Sequence, residues 1–338
     1  MQLVEGIRYL RQALKIGEEI GDQKVIGYAC AYLIWGCSDH GLIDEGIAFG
    51  ERVRQMEIYT KDPEVFRWAG GSLSAAYAMK GETLKSTKMA QAGVEYGQKH
   101  SITGCIADSY GCIAFNHFLS GDFLSTIEFA KRSLQYEVEP FTYYCLIGSL
   151  AIGYTMNGQY EEAQIIFDEI LKPMEESGHL WGATRGRLFY SLLTVMKGNL
   201  SQGVRMLEDM MSQSKSNEAW MIYCQANYML GKIYLQMIQG EGEKSFSLLA
   251  RNIGFLIKTI PFLKQKAEEH YQETIRVAKK IGTKGTLGQA YLDMGELRKI
   301  KGSKDEARKY ITDAIPLFEE CENDFLLKQA REALSALG

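Results

Sequence analysis

Proline is scarce in this chain, five residues among 338, and runs alternating Val, Ile and Thr with polar residues are missing. Without such alternation a sheet has no pattern to form on, and few prolines leave long helices uninterrupted. No stretch of about 18 uncharged apolar residues occurs, which excludes a membrane-spanning helix, and MQLVEGIRYLRQAL lacks the basic-then-apolar order of a signal peptide. No H-E-x-x-H, C-x-x-C or G-x-S-x-G motif is present, and the five histidines His40, His100, His117, His179 and His270 are scattered, so no metal site, cofactor site or catalytic triad is expected. The segment Gly240-Glu241-Gly242-Glu243-Lys244-Ser245 resembles the end of a phosphate loop, but Glu243 stands where glycine is needed and would repel phosphate. No excess of one charge marks a nucleic-acid footprint: the formal net charge is -4, with lysine and arginine spread beside acids. Seven cysteines, an odd number, fall in apolar stretches and read as reduced thiols of a cytoplasmic protein.

What is present is a repeat. Glycines recur at Gly41, Gly81, Gly121, Gly158 and Gly198, in steps of 40, 40, 37 and 40 residues, and each sits between two segments of helical periodicity. A second set of breaks lies half a period away, where Pro63 and Pro140 each stand 18 residues before a turn glycine. Proline is tolerated in a helix's first turn, so this register marks the start of the first helix, A, of each hairpin. The spacing predicts an all-α chain of seven antiparallel helix pairs, at about 24–60, 64–99, 104–138, 141–177, 180–214, 218–281 and 285–320. A leading half-repeat at 1–21 resembles a second helix, B, without its A partner, from which the chain is expected to begin inside a longer protein. A capping helix at 323–337 closes the other end. The sixth pair is interrupted by an insertion at 239–263, itself helical in pattern.

The unit LGQAYLDMGELRKIKGSKDEARKYITDAIPLF, residues 287–318, resembles the tetratricopeptide consensus, with Gly295, Gly302, Ala307 and Ala314 at the family's small positions. Ser303 and Glu306 add a capping-box pattern. IGYTMNGQYEEAQIIF repeats the match through Tyr154, Gly158, Ala163 and Phe167, while Gly46, Ser86, Thr126 and Gly203 keep only the smallness. The resemblance implies one right-handed superhelical solenoid over 1–338 whose A helices line a groove at ten, six, three and two residues before each turn glycine. Those places hold Trp35, Ser38, Asp39, Gly71, Ala75, Ala78, Gly111, Phe115, Phe118, Gly148, Ile152, Thr155, Leu188, Leu192 and Val195. The lysines and asparagines of a carboxylate clamp are missing there, and an apolar, partly aromatic surface suits a protein or peptide segment. A second reading stays open, in which a tight superhelix buries these residues between neighbouring A helices.

In the insertion, Phe246, Leu249, Ile253 and Leu256 are candidate contacts, either of a docking or autoinhibitory element or of an extra helix packed on the array. From about Gly240 the chain is similar to the C-terminal repeats of bacterial signalling proteins that join a nucleotidyl cyclase domain and an AAA-type ATPase to a tetratricopeptide tail. That resemblance implies a non-catalytic regulatory scaffold, with any cyclase or ATPase activity upstream. Its partner would be another polypeptide or the parent protein's own catalytic domains, without nucleic acid or membrane. The alternative is a domain that senses a small ligand and controls those upstream domains.

Overall fold

A computed structural model describes residues 3–178, 180–240 and 246–338, and within these every regular element is helical. In chain order the helices are α1 (Leu3–Ile20), α2 (Gln23–His40), α3 (Ile43–Arg54), a short α4 (Glu57–Lys61), α5 (Pro63–Lys80), α6 (Thr83–His100), α7 (Thr103–Leu119), α8 (Phe123–Ser133) and α9 (Pro140–Met156). They continue as α10 (Tyr160–Glu176), α11 (Leu180–Met196), α12 (Leu200–Ser216), α13 (Trp220–Gln239), α14 (Phe246–Thr259), α15 (Leu263–Ile281), α16 (Lys284–Ile300), α17 (Lys304–Glu320) and α18 (Asp324–Ser335). Two compact units result, one from residues 1–157 with 216–221 and one from 158–215 with 222–338.

Local chemistry sets the helix limits. Asp22 and Asp62 cap α2 and α5, each carboxylate accepting two backbone N–H groups at 2.9 to 3.1 Å. Such a cap contributes about 1 kcal/mol. Pro63 and Pro140 open α5 and α9, at a position whose missing N–H has no helical partner in any case. The turns close on left-handed glycines: at Gly41 φ is 86° and at Gly81 96°, and both amides return to carbonyls in the last turn of the preceding helix. Two prolines, Pro173 and Pro316, lie inside α10 and α17, and the repeat register gave no sign of them.

Five residues after each turn glycine, and after Gly302, the second helix presents a small buried side chain or none: Gly46, Ser86, Thr126, Ala163, Gly203 and Ala307. There the two helices of a pair meet. A Cβ on Gly203 would stand 2.7 Å from the Ser191 carbonyl oxygen, and one on Gly46 3.0 Å from that of Ile34. In the first unit α2 packs on α5, α5 on α7 and α7 on α9, so the A helices form a continuous layer. Each B helix lies between its own A helix and the next. The core of α1, α2 and α5 includes Leu14, Leu33, Val65 and Ala69.

Candidate functional site

Three residues before Gly41 and before Gly198 the side chain faces its own B helix. Ser38 is fully buried, donates to the Ile34 carbonyl at 2.7 Å, and would stand 3.1 Å from a Cβ on Gly46. Val195 stands in the same relation to Gly203, and Thr155 is fully buried, its hydroxyl donating to Ala151 O at 2.8 Å. Asp39 and Ala75 are buried as well. These five residues are therefore buried and line no open surface. At the other places six before the glycine, Trp35, Phe115 and Ile152 in the first unit are half-buried, as is Leu192 in the second. Phe118, half-buried, stacks on Phe115 with ring centroids 6.3 Å apart.

What the first unit leaves partly open on its A-helix layer is a stripe of aromatic side chains around residues that have almost none. Gly71, on α5, faces open space, for a Cβ built on it meets nothing within 4 Å. Cys112 donates to the Gly71 carbonyl at 3.6 Å, and burial pushes its thiol up to about 12, so it stays protonated and inert. Toward the N-terminal ends of the same helices, Trp68 stacks on the exposed ring of Tyr32 at 6.1 Å and meets Phe141 edge-on at 5.6 Å. The Trp68 indole N–H donates to Glu64 at 3.1 Å.

Arg67 organises this end. Its guanidinium is buried and donates to Asp108 at 2.6 Å, to Glu139 at 3.0 and 3.1 Å and to Thr142 at 2.6 Å, joining α5 to α7 and to the start of α9. It reaches across Gly104, where a Cβ would lie 3.0 Å from the guanidinium, and also stands 4.7 Å over the Trp68 ring. Burial pushes the Asp108 carboxyl up to about 6 against the opposing pull of Arg67. Burial alone would raise Glu139 too, but hydrogen bonds from Thr142 and Arg67 outweigh it and hold that carboxyl below the usual range. The turn-glycine register covered only the second half of each A helix and so passed over Arg67, Trp68 and Phe141. An aromatic residue next to a charged or proline residue at the start of α5 and α9 was the available signal.

The second unit has a comparable hub of opposite sign. Asp293, buried, accepts Tyr228 Oη at 3.1 Å, Tyr271 Oη at 3.3 Å and Lys232 Nζ at 2.8 Å, joining α13, α15 and α16. Near it burial pushes His270 down to about 4, and the neutral ring lies 3.0 Å from Asn227 Oδ1.

In the insertion, the side chains of Phe246 and Leu249 lie outside the described residues. Leu256 is half-buried, whereas Ile253 is 59% exposed and does not pack. Its neighbour Asn252 takes the inward position, donating to the Gly198 carbonyl at 2.7 Å and accepting from Ser201 N at 3.5 Å, so α14 is pinned to the α11–α12 turn.

Among the described residues no group of three or more His, Cys, Asp or Glu side chains is placed to hold a metal ion, and no helix is long and apolar enough to cross a membrane. No family model matches the sequence, and no curated protein matches it. Solved structures do. A Rap protein complexed with Competence and Sporulation Factor aligns at a TM-score of 0.63 and 12% identity, over 92% of this chain and 85% of that one. A signal transduction ATPase with numerous domains, carrying a tetratricopeptide repeat sensor, from Pyrococcus horikoshii aligns at 0.54 and 15%, over 88% of this chain and 43% of that one. A tetratricopeptide repeat protein from Parabacteroides merdae aligns at 0.47 and 12%, over 98% and 99%. At such identities the likeness is one of fold, and the fold is a tetratricopeptide-type array of helix pairs.

Proposed function

We propose that the chain is a protein-interaction module whose first unit takes up a polypeptide segment along its A-helix layer. The observation that carries this reading is the aromatic surface of the A helices: Tyr32, Trp35, Trp68, Phe115 and Phe118, on α2, α5 and α7, keep part of their surface open, and Gly71 on α5 leaves its stretch of helix without a side chain. Rigid aromatic side chains supply most of the energy at polypeptide interfaces, and a bare glycine lets a bound backbone approach the helix closely. The Rap structure, solved with a bound factor, shows that an array of this fold takes up a ligand. The stripe carries no set of reacting groups, which favours binding over catalysis.

The chain spans less than half of the archaeal ATPase it aligns with. That likeness supports a place for it in the repeat region of a larger cytoplasmic signalling protein, where the segment bound could belong to the parent's own catalytic part.

A random peptide library displayed on phage and panned against the whole chain tests the reading. Selected sequences should bind the unaltered chain and lose binding to Gly71→Trp and Phe115→Asp, with melting temperatures nearly unchanged for Gly71→Trp. A library that enriches nothing, or peptides that bind both variants undiminished, overturns it. A saturable melting shift with a metabolite, blocked by Gly71→Trp, would instead assign the stripe to a small ligand.

A further inference from the structure

Over the described side chains of the insertion helix α14, residues 252–259, the two most buried are polar. Asn252 and Thr259, seven residues apart and so on one face, are 3% and 5% exposed. Ile253 and Ile257, one residue further round the helix, are 59% and 68% exposed, and Ile260 and Phe262, in the 3-10 turn that follows it, are 57% and 52% exposed. In an ordinary surface helix these two sets would be exchanged. Because Asn252 is bonded to the Gly198–Ser201 turn, the helix cannot rotate to hide the isoleucines without breaking that anchor.

The exposed ridge has two further properties. Ile253 and Ile257 stand one turn apart and Ile260 follows three residues on in the 3-10 turn, an apolar ridge of the kind one helix offers to another laid alongside it, and it is narrow because the adjoining Leu256 is half-buried. A helix lying in a lipid interface presents a broader apolar arc, so the seam favours a helical partner over a membrane. The second property is charge. From Lys244 to Ala267 the chain has five basic residues, Lys244, Arg251, Lys258, Lys264 and Lys266, and no acid. The remaining residues carry 33 basic against 42 acidic side chains, so the stretch that bears the exposed ridge is locally basic in an acidic chain.

We infer that α14 is a docking helix for an amphipathic helix of a partner polypeptide, acidic along the flanks of its apolar seam. The apolar seam supplies most of the affinity, and Lys258 and Lys264, both exposed, select against basic partners and speed encounter. This surface is separate from the A-helix stripe, so Gly71→Trp leaves it intact and the two readings fail independently.

The test uses the full chain and a fluorescent peptide of three heptads with leucine at a and d, glutamate at e and g and alanine elsewhere, together with its twin bearing lysine at e and g. The acidic peptide should bind at low salt. Ile257→Asp should weaken it about ten-fold or more, and Lys258→Glu with Lys264→Glu should weaken it several-fold, a difference that fades at high salt. All of these positions are exposed, so melting temperatures should stay within a degree or two of the unaltered chain. Equal binding of the two peptides, binding of neither, or indifference to Ile257→Asp overturns the inference. Sedimentation with phosphatidylglycerol vesicles, without binding of the acidic peptide, would assign the ridge to a membrane surface instead.

Discussion

The same substitution, glycine to alanine in the interior of a helix, should change stability in opposite directions at Gly203 and at Gly71. In both places alanine gains helix propensity of about 1 kcal/mol and removes freedom from the unfolded chain. At Gly71 nothing opposes that gain, since the new methyl meets no atom within 4 Å. At Gly203 the methyl would stand 2.5 Å from Val195 Cγ2, 2.7 Å from Ser191 O and 2.9 Å from Val195 N. Two of those three atoms are backbone, so relief requires α12 to move away from α11 and cannot come from a rotamer change.

Separating a close-packed helix pair costs about 1–3 kcal/mol for an inserted methyl, and opens contact at Leu207 and Met210 further along the same buried face. The net expectation is stabilisation by roughly 0.5–1 kcal/mol for Gly71→Ala and destabilisation by roughly 0–2 kcal/mol for Gly203→Ala. Urea denaturation followed by circular dichroism measures both, and a shift of about 1–2 °C in melting temperature per kcal/mol is the corresponding thermal signal for a chain of this length. If Gly203→Ala melted higher than the unaltered chain, the claim that these small residues set the distance between paired helices would be refuted.

Other substitutions test the two polar hubs. Arg67→Ala should destabilise by about 3–5 kcal/mol, because Asp108 and Glu139 lose their shared partner, and adding Asp108→Asn should restore part of the loss in a double-mutant cycle. Asp293→Ala should cost about 2–4 kcal/mol through the unpaired hydroxyls of Tyr228 and Tyr271, and Asp293→Asn, which still accepts, should cost less in the same denaturation assay. The folded chain holds His270 near 4, below its ordinary 6.5, so its neutral form contributes stability that is present above 6.5 and lost as pH falls toward 4. Between pH 7.5 and 5 the unaltered chain should lose about 2 kcal/mol more than His270→Gln, as read from urea midpoints at the two pH values.

The array was legible in the sequence because its determinants are local. A left-handed turn favours glycine, and a helix crossing five residues later needs a small side chain, so Gly158 with Ala163 and Gly198 with Gly203 carry the same message at a fixed offset. The face that each A-helix position presents was harder to read. Counting back from the glycine placed Ser38, Thr155 and Val195 on the groove, whereas the close approach that makes Gly46 and Gly203 necessary turns Ser38 and Val195 toward the B helix. Ser303 and Glu306 had the spacing of a capping box, yet the Ser303 side chain makes no capping bond and Glu306 lies 3.0 Å from Arg298 Nε. A nearby charge outweighed the local motif. Periodicity marked α14 as amphipathic but could not show that Asn252 would take the inward place, since its acceptor, Gly198 O, lies 54 residues earlier in the chain.

Arg67 and Asp293 share a physical role that apolar packing cannot fill. Helix pairs built to one pattern offer similar apolar edges to any neighbour, so burial alone distinguishes poorly between correct stacking and a stack shifted by one repeat. A buried guanidinium whose acceptors are on α7 and α9, and a buried carboxylate whose donors are on α13 and α15, are satisfied in one order only. Any shift would leave a charge without its partners, at a cost of several kcal/mol. In the first unit the same residue that fixes the order also lies against Trp68, so the spacing of α5, α7 and α9 and the aromatic wall of the stripe are set together. A segment that binds the stripe therefore meets a surface whose geometry is held by a charge network, and rigidity of that kind lowers the ordering cost of binding.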